Sequence, residues 1–396
     1  MRITQRAQRI EPFYVMEMAK AAQRIAQEVR HSDQPMVFLN IGEPDFTAPP
    51  LVQAAAERAI RDGRTQYTHA LGLEPLRERI SAWYGSRFGV DVPARRIIVT
   101  AGASGALLLA CTALIEEGDE VLMPDPCYPC NRQFVNAALG RAVLLPTDAA
   151  QRFQLSAEQV RTHWNPQTRG VLLASPSNPT GTSIAAAQLR AIHNQVQHHG
   201  GITMVDEIYL GLSYDDAFAH TALAIDEQII SINSFSKYFN MTGWRLGWLV
   251  VPDELVAVIE RLAQNFFICP SSVAQYAALA CFEEDSLRVY EQRRAAFKAR
   301  RDSFIPMLNA MGLRVPVMPD GAFYAWADCR HSCKKLGLQG SWALAQHLMQ
   351  HAHVAVTPGR DFGVHATENF IRFSTASSLA DLHTAAKRLQ HLLEAA

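Results

Sequence analysis

The sequence predicts an α/β protein that has a large, mostly parallel sheet followed by a smaller α+β unit. From about residue 94 onward, short β-branched and apolar runs alternate with helical stretches, which is typical of parallel strands joined by crossover helices. After about residue 285 the pattern changes to a long charged amphipathic helix, a short mixed segment and a final helix. No stretch rich in Pro, Gly or Ser separates the two parts, so we expect them to pack together.

Apolar content places the strands of the large sheet, in chain order, at 95–100 (RRIIVT), 120–123 (EVLM), 142–146 (AVLLP), 170–175 (GVLLAS), 202–207 (ITMVDE), 229–233 (IISIN) and 246–251 (LGWLVV). Helices are predicted at 103–117, where Gly118 would end the helix, and at 183–199. The charged amphipathic helix covers 286–311. The N-terminal segment is amphipathic and has no sheet of its own. We therefore expect an N-terminal arm and helix (1–45) packed on the small domain, a large domain (46–285) and a small C-terminal domain (286–396).

Composition excludes several classes of protein. The 396 residues include 37 Lys and Arg against 38 Asp and Glu, so the chain lacks the basic excess that nucleic-acid binding needs. The longest uncharged run, 262–282, contains several polar residues and a proline, so we expect a buried helix and no membrane span. The first 30 residues lack the apolar region of a signal peptide. Seven irregularly spaced cysteines favour a reducing cytoplasm.

Two cysteine patterns raise the question of a metal or redox site. Cys127 and Cys130 form a C-x-x-C, and Cys329, His331 and Cys333 lie close together in the sequence. A C-x-x-C without a second pair is weak support for zinc. We expect ordinary thiols and no metal.

Polar residues follow four of the predicted strands, and ligands of open α/β sheets bind at that edge. The first group is the small-residue turn 100–106, whose backbone N–H groups and Ser104 could hold a phosphate, although a plain tight connection would look the same. Only Gly102 and Gly105 are present, so the dinucleotide fingerprint is absent. The second is Asn178, in a turn-rich cluster that an ordinary Asn-Pro turn would also explain.

The other two groups are charged. Asp206 ends an apolar strand, where a buried carboxylate needs a cationic partner. Lys237 follows another strand, and it is either a solvated loop residue or an amine whose pKa is lowered in a cleft. Ser234, Ser236 and Arg245 lie nearby in the sequence and suit phosphate binding.

The order and spacing of these groups resemble the class I/II aminotransferases, pyridoxal-phosphate enzymes of the aspartate aminotransferase fold (fold type I). The matching segments span nearly the whole chain: 40–46 (NIGEPDF), 67–72 (YTHALG), 102–105 (GASG), 125–129 (DPCYP), 177–181 (SNPTG), 206–209 (DEIY), 234–237 (SFSK), 243–245 (GWR) and 370–374 (FIRFS). The resemblance implies a three-layer large domain that binds the cofactor.

The resemblance also implies the catalytic roles. Lys237 would form an aldimine with the aldehyde of pyridoxal 5'-phosphate and then carry a proton from the substrate Cα. Asp206 would pair with the pyridine nitrogen. Tyr209 and Asn178 would hydrogen-bond the phenolic oxygen, and Tyr128 would stack on the ring.

Phosphate and substrate contacts follow from the same resemblance. The phosphate would be held by Ala103, Ser104, Ser234, Ser236 and Arg245, and by Tyr67 of the partner subunit, which implies a homodimer with shared active sites. Arg372 would bind the substrate α-carboxylate, assisted by Asn178 and the backbone at Gly42. The alternative for Arg372 is a surface salt bridge, which its position between apolar neighbours disfavours.

The implied function is transfer of an amino group from an L-amino acid to a 2-oxo acid, such as 2-oxoglutarate or pyruvate, by a ping-pong mechanism. We place no second cation for a dicarboxylate: Arg132 and Arg360 lie near matching motifs and could be solvated. Phe13, Tyr14, Phe266 and Phe267 could line an apolar pocket, so we expect a neutral or hydrophobic donor.

Three other functions stay open. A carbon–sulfur β-lyase would use the same Lys, Asp and Arg. An aminotransferase-like ligand-sensing regulator would need an N-terminal DNA-binding domain, for which the roughly 40 residues before the first motif leave no room. A nicotinamide-dependent dehydrogenase is disfavoured by the missing fingerprint.

Overall fold

The computed structural model describes residues 2–4, 7, 8, 10 and 14–395. Part of the expected N-terminal arm therefore lies outside the described residues. The helices are Tyr14–Val29, Pro50–Arg61, Glu74–Phe88, Gly102–Leu114, Pro129–Ala137, Ala157–His163, Ala186–His198, Asp253–Phe266, Ser272–Ala278, Glu284–Ala310, Arg330–Leu336, Gly340–His351 and Leu379–Glu394. The strands are β1 (Val37–Phe38), β2 (Ile97–Thr100), β3 (Glu120–Asp125), β4 (Arg141–Pro146), β5 (Thr168–Ala174), β6 (Ile202–Asp206), β7 (Ile230–Ser234), β8 (Gly247–Val250), β9 (Tyr324–Asp328), β10 (Val354–Ala355), β11 (Thr357–Pro358) and β12 (Phe370–Ser374).

A seven-stranded sheet in the order β2-β8-β7-β6-β5-β3-β4 forms the centre of the large domain. The pairs from β7 through to β4 are parallel, whereas β8 runs antiparallel to both β2 and β7. The predicted mostly parallel α/β sheet is thus confirmed, and each predicted strand overlaps an observed one.

Helices cover both faces of this sheet, because the strands are apolar on both sides. Neighbouring residues of β6 illustrate the alternation: Met204 packs with the helix Gly102–Leu114, and Val205 packs with the helix Ala186–His198. The large domain therefore has three layers.

The C-terminal elements build a second core. The antiparallel sheet β11-β12-β9 packs with the helices Gly340–His351 and Leu379–Glu394. The N-terminal helix contributes Met18 and Ala22 to this core, and β1 pairs in parallel with β10. The first helix and strand of the chain thus pack with the C-terminal elements.

The three helices predicted with bounds differ from the observed ones by one to three residues at each end, and the helix predicted at 183–199 is observed at Ala186–His198. The helix predicted at 103–117 ends at Leu114, because Ile115 is extended (φ −120°, ψ 130°) and is buried in the core of the large domain. The helix Glu284–Ala310 continues through Pro306, close to its C-terminal end. Among the described residues, none of the helices is both long enough and apolar enough to cross a membrane.

Candidate active site

The carboxyl ends of the parallel strands meet at one edge of the large sheet, where a cavity of about 830 Å³ lies between the two domains. All but one of the site residues predicted from the sequence line this cavity: Gly42, Ala103, Ser104, Tyr128, Asn178, Asp206, Tyr209, Ser234, Ser236, Lys237, Arg245 and Arg372. The exception is Tyr67, whose surface is 79% exposed in the single protomer. Residues from distant parts of the sequence are thus brought to one place by the edge of the large sheet and by the small sheet that carries Arg372.

Lys237 presents an amine with weakened basicity. Its Nζ donates a hydrogen bond to the carbonyl oxygen of Gly42 at 2.6 Å and lies 5.9 Å from the centroid of the Tyr209 ring. Burial lowers the pKa of Lys237 to about 8, although the nearby Glu43 carboxylate acts in the opposite direction. The amine is therefore still mostly protonated at pH 7, but its neutral fraction is far larger than that of an ordinary lysine.

Asp206 is a buried carboxylate at the end of β6. Its Oδ1 accepts a hydrogen bond from the backbone N–H of Ile208 at 3.2 Å, and Asn131 is a further hydrogen-bond partner. Burial raises the pKa of Asp206 to about 6. Among the described residues, no Lys, Arg or His nitrogen lies within 4.0 Å of it. The carboxylate is therefore suited to a cationic ligand.

The neighbouring Glu207 anchors the end of β6. Its carboxylate accepts hydrogen bonds from the Ser231 hydroxyl at 2.5 Å, the Thr221 hydroxyl at 2.9 Å and the Ala222 backbone N–H at 2.6 Å. These contacts join the end of β6 to β7 and to the loop between β6 and β7, and so fix the backbone that carries Asp206.

Arg372 lies on β12 and is 3% exposed. Its Nη1 donates to Asn178 Oδ1 at 2.8 Å, and its Nη2 donates to the Asn40 carbonyl oxygen at 2.7 Å and to Thr357 Oγ1 at 3.2 Å. Its Nε is buried and has no hydrogen-bond partner among the described residues. A buried cation with a free donor can bind a carboxylate, and a surface salt bridge does not describe this residue.

The first turn of the helix Gly102–Leu114 and the segment that leads into β8 approach each other closely. Gly102 has φ +72°, and a Cβ there would lie 2.9 Å from Arg245 Nη2. A Cβ on Gly247 would lie 2.7 Å from the Gly102 carbonyl carbon. Ser236 N–H and the Ser234 hydroxyl form a small hydrogen-bonded turn opposite. Backbone N–H groups, hydroxyls and a guanidinium in one cradle suit a phosphate.

Sequence reasoning missed three groups at this site. Tyr324 lines the cavity, and its hydroxyl is 2.5 Å from the Tyr209 hydroxyl. Glu43 and Asn131 affect the pKa values of Lys237 and Asp206, respectively. The signal for Glu43 was present, since it lies in the matching segment 40–46.

The seven cysteines are free thiols. Cys127 is buried beside Tyr128, and Cys333 Sγ lies 3.9 Å from Cys329 Sγ. Within the part of the chain that the structure describes, no group of three or more His, Cys, Asp or Glu residues is arranged to hold a metal ion.

Comparison with known proteins identifies the family of the chain. The family described as aminotransferase class I and II matches residues 34–389. The valine–pyruvate aminotransferase of Mycobacterium tuberculosis is 36% identical over 381 residues, which cover 96% of each chain. A crystal structure of an aminotransferase from M. tuberculosis superimposes with a TM-score of 0.93 and 35% identity, covering 100% of both chains.

The aspartate aminotransferase of Thermus thermophilus, solved with maleate, has a TM-score of 0.90 and 30% identity, and the match covers 99% of this chain and 100% of that one. The resemblance seen in the sequence and the mostly parallel α/β fold are both confirmed by these matches. The chain therefore belongs to the class I and II aminotransferases, and it is a transaminase with the aspartate aminotransferase fold.

Proposed function

We propose that this transaminase binds pyridoxal 5'-phosphate and transfers the amino group of a neutral or hydrophobic L-amino acid to a 2-oxo acid, such as pyruvate or 2-oxoglutarate, by a ping-pong mechanism. One observation carries the proposal. A single cavity holds the Lys237 amine, the Asp206 carboxylate and the Arg372 guanidinium, and its remaining wall is largely apolar.

The residues of the cavity fit this cofactor. The buried Asp206 carboxylate needs a cation, which a protonated pyridine nitrogen supplies. The cradle at Gly102, which a Cβ would narrow, suits the phosphate. Tyr128 would lie against the ring, and Asn178 and Tyr209 would hydrogen-bond its phenolic oxygen. The phosphate would be held by Ala103, Ser104, Ser234, Ser236, Arg245 and the partner's Tyr67.

The chemistry of transfer follows from the residues around the substrate. When bound, pyridoxal phosphate supplies an aldehyde that accepts an amino group and an electron-poor ring that withdraws electrons from the substrate Cα. The Lys237 amine removes the proton from that Cα, since its lowered pKa keeps part of it neutral. Arg372 binds the α-carboxylate and so fixes the orientation of the Cα–H bond. Asp206 keeps a proton on the ring nitrogen.

The wall of the cavity supports a neutral or hydrophobic donor. Apolar side chains form much of it: Val15, Met16, Ala19, Ile41, Leu107 and Phe134. Arg245 and Arg372 are the arginines that line it among the described residues. Neither Arg132 nor Arg360 lines the cavity: Arg132 donates to the Asp361 carbonyl oxygen, and Arg360 lies 5.2 Å from the ring centroids of Tyr14 and Trp342.

Three of the four aromatic candidates from the sequence do not form this wall. Tyr14, Phe266 and Phe267 lie outside the cavity of the single protomer, and Phe13 lies outside the described residues. The name of the M. tuberculosis relative, valine–pyruvate aminotransferase, supports a small apolar donor and pyruvate as acceptor.

An absorption spectrum tests the proposal. Purified protein mixed with pyridoxal phosphate should show a visible band, and L-valine without acceptor should bleach it. Pyruvate should then restore it. Lys237→Ala should lose turnover, while Lys335→Ala, a lysine of the small domain outside the cavity, should keep it. A protein that stays colourless, or a Lys237→Ala variant with full turnover, would refute the proposal.

Assays on the same purified protein distinguish transamination from β-elimination. A β-lyase releases pyruvate, ammonia and a thiol from a cysteine conjugate without an oxo-acid acceptor. With a cysteine conjugate and no acceptor we expect no such release, whereas transamination of L-valine should depend strictly on the acceptor. Release of ammonia at a rate comparable to transamination would favour the lyase.

We also propose a homodimer in the cytoplasm. The exposed Tyr67 supports the dimer, since its ring is left in solvent by the single protomer. The free state of all seven cysteines supports a reducing compartment. Sedimentation should show twice the chain mass, and Tyr67→Phe should weaken pyridoxal phosphate binding without dissociating the dimer.

A further inference from the structure

Tyr324 is the first residue of β9, and it connects the two ends of the candidate site. Register in the small sheet pairs Arg372 with Trp326 and Ser374 with Tyr324. Arg372 and Tyr324 are therefore diagonal neighbours on one face. The guanidinium carbon lies 4.5 Å from the centroid of the Tyr324 ring, and the hydroxyl lies 2.5 Å from that of Tyr209. The Tyr324 side chain thus contacts both Arg372, the proposed carboxylate-binding residue, and Tyr209, a proposed cofactor-binding residue.

The Tyr324 hydroxyl lies between Gly42 and the Tyr209 hydroxyl. The side chain is 1% exposed. A Cβ on Gly42 would overlap the hydroxyl oxygen and would lie 3.3 Å from Cζ. Gly42 also accepts the hydrogen bond from Lys237. Because Gly42 has no side chain, the Tyr324 hydroxyl fits between Tyr209 and the Gly42 backbone, whose carbonyl oxygen accepts the Lys237 hydrogen bond.

We propose that Tyr324 is a positioning residue for the transamination: its hydroxyl donates to Tyr209, so that the Tyr209 proton points into the cavity, and its ring supports Arg372. The proposal rests on the proposed binding of pyridoxal phosphate, because it concerns the phenolic oxygen that Tyr209 would meet.

The direction of the hydrogen bond follows from charge. Each hydroxyl has one proton, so one tyrosine donates to the other and the acceptor keeps its own proton for a third group. A nearby positive charge makes a phenol a better donor. Arg372 acts on both phenols and Lys237 Nζ lies 5.9 Å from the Tyr209 ring, but the closest cation is the Arg372 guanidinium, 4.5 Å from the Tyr324 ring. Tyr324 is thus the donor, and Tyr209 is left free to donate to a ligand oxygen. Burial raises the pKa of both phenols, so both are protonated at neutral pH.

A set of variants tests the role with a spectroscopic readout as well as with steady-state kinetics. Tyr324→Phe removes the hydroxyl and keeps the ring. In the protein loaded with pyridoxal phosphate, we expect the midpoint of the pH-dependent absorption change to move by about half a unit, in the direction given by Tyr209→Phe. The KM for the amino donor should change little. Tyr324→Leu removes the ring as well and should also raise the KM, because Arg372 loses its support.

Tyr214→Phe is the matched control. Its hydroxyl donates to the carbonyl oxygen of Ala322, just before β9, and it lies outside the cavity. It should lower the melting temperature and leave the absorption midpoint unchanged. An equal shift in Tyr214→Phe and Tyr324→Phe would overturn the proposal, since it would show a packing effect.

A double-mutant cycle in the apoprotein gives a second readout. Gly42→Ala should lower the melting temperature, and this loss should shrink in a Tyr324→Phe background, where the hydroxyl oxygen is gone. Strictly additive effects would refute the placement of the hydroxyl. If wild-type protein binds pyridoxal phosphate but Tyr324→Phe titrates like wild type, this inference alone fails. If wild type does not bind it, the proposed function and this inference fail together.

Discussion

Replacement of Arg372 by Lys is the most direct test of how this enzyme recognises an amino acid. The guanidinium makes three internal hydrogen bonds, to Asn178, Asn40 and Thr357, and its Nε stays unpaired. A lysine retains the charge but has one nitrogen, so it cannot hold Asn178 and Asn40 while it binds a carboxylate through two oxygens.

The expected loss can be worked from these contacts. Hydrogen bonds to charged groups contribute about 1.5–3 kcal/mol each, and the substitution removes the second bond to the substrate and weakens an internal one. A loss of about 3 kcal/mol in transition-state stabilisation is roughly 150-fold in kcat/KM. Because every donor carries the same α-carboxylate, the factor should be similar for valine, alanine and leucine.

Steady-state kinetics over a donor series measures this effect, with melting temperatures to show that the variants fold. Arg360→Lys is the control, since Arg360 lies on the preceding segment, stacks on Tyr14 and stays outside the cavity. It should change kcat/KM less than about threefold, as expected for a surface substitution. An Arg372→Lys enzyme within fivefold of wild type would refute the assigned role.

Three further predictions concern the buried Asp206, the buried Lys237 and the close backbone contact at Gly247. Burial raises the pKa of Asp206 from 3.8 to about 6, so the folded apoprotein loses stability as the pH rises through this range. Asp206→Asn escapes this loss and should become more stable than wild type by up to about 3 kcal/mol between pH 4 and pH 8, as measured by denaturant unfolding of the apoprotein. An advantage that does not depend on pH would contradict the shift. The lowered pKa of Lys237, about 8, predicts that capture of an aldehyde by the apoprotein accelerates through pH 8; borohydride trapping with a midpoint near 10.5 would contradict it. Gly247→Ala should lower the free energy of unfolding by at least about 2 kcal/mol, because its Cβ would lie 2.7 Å from a backbone carbon. Gly243→Ala, whose Cβ would have no atom within 4 Å, should lower it little, as measured by thermal unfolding.

Much of the candidate site could be predicted from the sequence, because its signals are local. Asp206 and Lys237 each follow an apolar strand, and the edge of a parallel sheet brings such residues together. Arg372 is an isolated charge in an apolar strand. In each case a short segment contains both the structural element and the functional group.

Other features depend on contacts between distant segments and have no local signal. Tyr324 begins an apolar strand, where a tyrosine reads as core, and its role depends on the docking of β9 against Gly42 and Tyr209. The helix predicted to reach Glu117 ends early because Ile115 is drawn into the core. Packing between elements decides both.

The two antiparallel pairings of β8 make the position of Arg245 depend on the register of the sheet. Arg245 lies two residues before this strand, which is hydrogen-bonded to β2 on one side and β7 on the other. A slip of one residue in either pairing would shift the guanidinium by about 3.4 Å and turn alternate side chains to the wrong face. If Arg245 binds the cofactor phosphate as proposed, molecules with a shifted register would bind it poorly, and the fraction of a preparation that takes up cofactor would follow the fraction with the correct register.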